Sequence, residues 1–126
     1  MINDILNQYK PVASEEVIHW EWVGGTEDFP GDAGACVKYK GLQVAVFNFT
    51  RIGKWYACQN LCPHKMEMVI ARGMIGEAGG VPKVACPMHK HNFSLEDGSC
   101  MTTDLPALAT FPVKVVDGQV FVGFNI

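Results

Sequence analysis

Two short clusters, Cys62-Pro63-His64 and Cys86-Pro87-Met88-His89, separated by 21 residues, constrain this chain more than any other feature. Each supplies one thiol and one imidazole, a soft donor pair that favours zinc or iron–sulfur over oxygen-seeking ions. A fold that uses them must bring two remote loops to one place. Pro63 and Pro87 directly follow the cysteines. A proline there fixes φ and removes a backbone donor, stiffening the turn that presents the ligand. Backbone N–H groups of such turns commonly point at metal-bound sulfur.

The composition of each half narrows the choice of metal. Structural zinc sites ordinarily pair cysteine with cysteine and histidine with histidine. Here each half is mixed, which suits a two-iron cluster with both cysteines on one iron and both histidines on the other. A zinc-stabilised, non-redox interaction subunit stays open as an alternative.

Cys-x-His followed by Cys-x-x-His resembles the signature of Rieske [2Fe–2S] proteins. The resemblance implies that Cys62 and Cys86 hold the inner iron and His64 and His89 the outer one, and that the chain relays electrons without a catalytic residue of its own. Respiratory Rieske proteins add a cysteine to each loop and join the two by a disulfide. Glu67 and Met88 stand near those positions here, and Lys90-His91 follows His89 where the respiratory type has Gly-Ser. The likeness is therefore to the lower-potential, ferredoxin-like class. Cys36, Cys58 and Cys100 have no disulfide-framework spacing and are expected to be reduced thiols packed as small hydrophobes. His91, two residues beyond His89, could line the surface at which the ligand histidines meet a partner, but a solvent-facing strand position, and not a ligand role, is expected.

The run Pro82-Lys83-Val84-Ala85-Cys86-Pro87-Met88-His89-Lys90, with Val44-Ala45-Val46-Phe47 and the ending from Phe111 to Gly118, is similar to the Rieske-type small subunit of assimilatory NAD(P)H-dependent nitrite reductase. This likeness covers most of residues 17–124. It implies electron transfer in the reduction of nitrite to ammonium, beside a large subunit carrying flavin, an iron–sulfur centre and sirohaem, or beside another redox protein. A stand-alone Rieske ferredoxin serving a ring-hydroxylating oxygenase would use the same four ligands.

Length and charge set the remaining bounds. With 126 residues and 48% hydrophobic content the chain reads as one domain, 1–126, large enough for a core without disulfide staples. A formal charge of −3, with scattered basic residues, argues against nucleic-acid or anionic-membrane partners. No stretch approaches 18 consecutive apolar residues and the start lacks a basic, apolar leader, so a cytoplasmic location is expected.

Periodicity predicts mostly strands. Ile2, Ile5, Leu6 and Tyr9 share one helical face before Pro11, suggesting a short amphipathic helix. Ile18, Trp20 and Trp22 alternate with His19 and Glu21, predicting a strand with a buried aromatic face. Residues 26–34 read as a loop. Lys40-Gly41 and Asp117-Gly118 are hairpin turns between β-rich runs, the second run extending from Phe111 through Val116. Glycines 73, 76, 79 and 80 break residues 68–81 into turns. The expected architecture is all-β: a small antiparallel barrel or sandwich with an inserted cluster-binding sub-domain at roughly 57–105.

Overall fold

Turn chemistry and apolar alternation divide the chain into twelve strands in the computed structural model, which describes residues 5–126. They are β1 (His19–Gly25), β2 (Gly34–Tyr39), β3 (Leu42–Phe49), β4 (Lys54–Gln59), β5 (Leu61–Cys62), β6 (Glu67–Met68), β7 (Met74–Ala78), β8 (Val81–Ala85), β9 (Asn92–Ser94), β10 (Thr110–Phe111), β11 (Val113–Val116) and β12 (Gln119–Phe124). Every pairing between them is antiparallel. Four sheets result, ordered β1-β12-β11, β10-β4-β3-β2, β5-β6 and β7-β8-β9. The all-β expectation holds.

β3 is the centre of the packing. Its run Leu-Gln-Val-Ala-Val-Phe-Asn-Phe is nearly continuous in apolar character, the pattern of a strand covered on both faces. Val44 and Val46 point into one core with Ala57, Phe111, Val120, Val122 and Phe124. Ala45, Phe47 and Phe49 point into a second core with Cys58, Ile70, Val84, Phe93 and Leu108. Val44 through Phe47 are all 0% exposed. Removing each valine or phenylalanine from water is worth about 1.5–3 kcal/mol. The first core joins the β1-β12-β11 sheet to the four-stranded sheet; the second joins β3 and β4 to the segments that carry the two Cys/His clusters.

Three two-residue turns build hairpins with both central residues at positive φ: Lys40-Gly41 at 48° and 82°, Gly79-Gly80 at 58° and 84°, Asp117-Gly118 at 50° and 74°. The first and last agree with the sequence reading. The middle one corrects it: residues 74–78 are a strand, not a succession of turns. Gly76 is tolerated inside β7 because the Gly79-Gly80 turn fixes the register of β7 on β8.

Two further expectations are corrected. The run from Phe111 to Val116 is not one strand. Thr110–Phe111 pairs with β4, whereas Val113–Val116 pairs with β12. The chain changes sheets at Pro112, which lacks an N–H for a ladder and uses its carbonyl to accept the Gly123 N–H at 2.9 Å. On β1 the aromatic face is not buried. Ile18 is 74% and Trp22 57% exposed, while the opposite face supplies Val23 to the core. Trp22 donates to Gln119 Oε1 at 2.8 Å, and the Lys114 ammonium lies 4.4 Å from the Trp20 ring centre, so the outward tryptophans are held by neighbours on β12 and β11.

At the N-terminal end, Ile2 lies outside the described residues. Ile5 and Leu6 open a single helical turn, with N–H bonds from Gln8 to the Ile5 carbonyl at 3.2 Å and from Tyr9 to the Leu6 carbonyl at 3.0 Å. Ile5 is exposed, Leu6 packs partly on the core, and Tyr9 and Val12 belong to it. Among the described residues no helix is long and apolar enough to cross a membrane.

Candidate metal centre

The first ligand loop grows out of β4 through two buried polar residues. Gln59 and Asn60 are 1% and 4% exposed, so every polar atom they carry needs a partner. Gln59 donates through Nε2 to the Leu61 carbonyl at 2.7 Å and accepts the Ala109 N–H at 2.7 Å. Asn60 closes the loop on itself. Its carbonyl accepts the N–H groups of Val69 and Ile70 at 3.0 and 3.1 Å. Its Oδ1 accepts the Ala71 N–H at 2.7 Å, and its Nδ2 donates to Gln43 Oε1 at 3.1 Å. Between these anchors, β5 and β6 pair Leu61 with Met68 and Cys62 with Glu67 around the turn 63–66. Sequence reasoning passed over both residues. Their one signal was a polar pair placed between Cys58 and Leu61 in an otherwise apolar strand end.

The second loop joins β8 to β9. The Cys86 N–H donates to the His91 carbonyl at 2.9 Å and the Lys90 N–H to the Cys86 carbonyl at 2.8 Å. Met66 in the first loop and Lys90 in the second hold left-handed φ values of 56° and 58°. Such a conformation costs a non-glycine residue about 1–2 kcal/mol, a cost the surrounding hydrogen bonds sustain. Gly73 lets the loops approach: a Cβ there would run into the Ala85 carbonyl and the Val84 side chain, at the strand end that leads into Cys86.

Of the four sequence-predicted ligands, His64 and His89 meet ring to ring across the two loops. Cys62 and Cys86 are 2% and 1% exposed, and both are free thiols. Burial pushes the Cys62 thiol up to about 11, opposed by the N–H groups of His64 and Lys65 aimed at its sulfur. A metal cation reverses the first effect and is reinforced by the second. The imidazoles of His64 and His89 meet edge to face, with centroids 4.6 Å apart at 81°. His89 is exposed and His64 half-buried. His64 Nδ1 is sealed from solvent without a hydrogen-bond partner. Burial first, then the neighbouring His91, His89 and Lys65, lowers the His64 pKa and keeps the ring neutral, the form that ligates metals.

These observations fit a two-iron cluster. Two sealed thiols lie inward, two imidazoles outward, and a buried ring nitrogen stands unpartnered. Among the described residues no group of three or more His, Cys, Asp or Glu side chains is placed to hold a metal ion.

The other cysteines and His91 depart in part from expectation. All five cysteines are free, but only Cys58 among the three non-ligand cysteines is fully buried; Cys36 is exposed and Cys100 half-buried. Cys36 sits at the mouth of the Asn60–Gln43 bond, its thiol 3.7 Å from Gln43 Oε1. His91 does not face solvent from a strand. It is half-buried just before β9, its ring edge to face with His64 at 4.5 Å and 75°.

Strand order, paired ligand loops and donor set together define a class. The Rieske-like [2Fe–2S] domain family matches residues 19–123, and the chain belongs to it. Within that family it is similar to nitrite reductase proteins. Nitrite reductase [NAD(P)H] of Emericella nidulans is 39% identical over 89 residues, covering 68% of this chain but 8% of that one. The nitrite reductase (NADH) small subunit of Salmonella typhimurium is 32% identical over 101 residues, covering 80% of this chain and 94% of that one. The solution structure of the Escherichia coli protein NirD superposes with a TM-score of 0.77 at 29% identity, over 86% of this chain and 98% of that one. The chain thus spans under a tenth of the fungal relative and nearly the whole length of the bacterial small subunit.

Proposed function

We propose that this chain is the electron-carrying small subunit of a cytoplasmic NAD(P)H-dependent nitrite reductase, with Cys62 and Cys86 holding the inner iron and His64 and His89 the outer iron of a Rieske cluster. The observation that carries the reading is the graded burial at the meeting of the two loops, thiols sealed and imidazoles toward the surface. When bound, the cluster supplies one-electron exchange at a potential raised by its neutral imidazole ligands. The protein's part is positional. Sealed cysteines keep water from the sulfurs, the His64 and Lys65 N–H groups favour negative charge on Cys62, and exposed His89 gives a partner close approach.

The partner in this reading is a large reductase subunit bearing flavin and sirohaem, and the turnover is nitrite to ammonium in nitrate assimilation. It is supported by near-complete coverage of a separate small subunit and by the occurrence of the same domain inside a much longer fungal nitrite reductase. Residues 1–126 then form one Rieske-like unit whose cluster-binding part is roughly 57–105.

Electron paramagnetic resonance of the anaerobically purified, dithionite-reduced protein tests the reading, together with analysis for iron and acid-labile sulfide. About two of each per chain and a histidine-ligated [2Fe–2S] signal are expected. A colourless protein holding one zinc overturns it. Cys62→Ser and Cys86→Ser should each abolish the visible spectrum. Co-purification with a sirohaem reductase separates this assignment from a ferredoxin serving an oxygenase.

A further inference from the structure

The His64 ring has two histidine neighbours, not one. His89 stands at 4.6 Å and 81°, His91 at 4.5 Å and 75°. One of these contacts joins the two outer ligands of the proposed cluster; the other joins a ligand to a residue with no assigned role. We infer that His91 is a positioning residue, which walls one side of the His64 imidazole, holds its plane and shields the outer ligand from water. This rests on the cluster assignment proposed above.

Three features of His91 favour a wall over a third ligand. Its Nδ1 lies 3.4 Å from Thr102 Oγ1, and that hydroxyl also accepts the Asn92 N–H at 3.2 Å, so the ring is oriented by the segment after Ser99, which is itself tied to the start of β9. Its carbonyl accepts the Cys86 N–H, which makes the residue that closes the second loop the same one that reaches across to the first. Finally, it is half-buried on the flank of His64, whereas His89, the ligand beside it in sequence, is exposed. A ring packed between two others at nearly right angles has little freedom about χ2. Removing the wall would free the His64 ring to rotate and open a path for water to its buried Nδ1, the nitrogen that would hold iron.

The experiment uses the full chain as purified, with His91→Ala and His91→Phe as variants. Two readouts are taken: the principal g values and line widths of the reduced cluster, and the half-life of its visible absorbance in the presence of a ferrous chelator. His91→Ala should retain about two irons per chain, yet show shifted or broadened g features and lose its colour several-fold faster than the wild type. His91→Phe, which keeps an aromatic wall but no metal-binding nitrogen, should restore both readouts. The inference is overturned if His91→Ala matches the wild type in both, or if His91→Phe is as impaired as His91→Ala. Failure of the wild type to give a histidine-ligated [2Fe–2S] signal would instead refute the cluster assignment itself, so the two failures are distinguishable.

Discussion

Replacing Asn60 by alanine should cost the protein about 2–4 kcal/mol, and the reason lies in two bonds. The side chain accepts the Ala71 N–H at 2.7 Å and donates to Gln43 Oε1 at 3.1 Å from a position 4% exposed. Deleting it strands the Ala71 N–H, which is itself buried at 8% exposure, away from water. A stranded buried donor costs about 1–3 kcal/mol and the lost second bond about 1 more. The backbone bonds of Asn60 to Gln43, Val69 and Ile70 survive the change, so the variant should still fold. Urea titration of matched apo proteins measures the loss, and a fall in Tm on the order of 10 °C should accompany it. Asn60→Asp restores an acceptor for Ala71 but turns a carboxylate oxygen toward Gln43 Oε1, and should fall between alanine and wild type at pH above its own titration. If Asn60→Ala loses less than about 0.5 kcal/mol, below the cost of even one stranded donor, the first ligand loop is not fastened at this residue.

Other perturbations follow from equally local features. Gly73→Ala places a methyl group against the Ala85 carbonyl and Val84, and should destabilise by about 1–3 kcal/mol in thermal melts; an unchanged Tm would mean the two loops have slack between them. Phe93→Ala empties a fully buried site in the second core and should cost about 3–5 kcal/mol by denaturant titration. Asp32 accepts the Thr50 hydroxyl at 2.6 Å and the Thr50 N–H at 3.0 Å, and these bonds hold its carboxyl below its ordinary range. A depressed folded pKa stabilises above the unfolded value and loses that stabilisation as pH falls through the folded one. The Tm gap between wild type and Asp32→Asn should therefore be present at pH 7 and close as the pH is taken below about 4; a gap independent of pH would assign the effect to packing.

The candidate donors stand out in the sequence because they sit in two tight local clusters. A cysteine and a histidine separated by one or two residues lie on the same turn whatever the rest of the chain does, so Cys62, His64, Cys86 and His89 could be singled out before any contact was known. The Lys40-Gly41 and Asp117-Gly118 hairpins were legible for a similar reason, since a two-residue turn with positive φ is a property of the dipeptide. What failed depended on distant partners. Alternation in β1 marked two faces correctly but could not say which one meets a core, and the tryptophan face turned outward onto Lys114 and Gln119. The run through Pro112 looked continuous because nothing local records that its two halves pair with different sheets.

From the residues alone follow the two Cys/His clusters, the alternation that marks strands and the hairpin turns, because each is a pattern within a few positions of sequence. Only the tertiary structure decides that Asn60 ties the first loop to β3, that β3 divides two cores, and that His91 flanks His64. Burial and cross-loop contact are properties of the packed whole, set by which surfaces exclude water together, and no short stretch of sequence carries them.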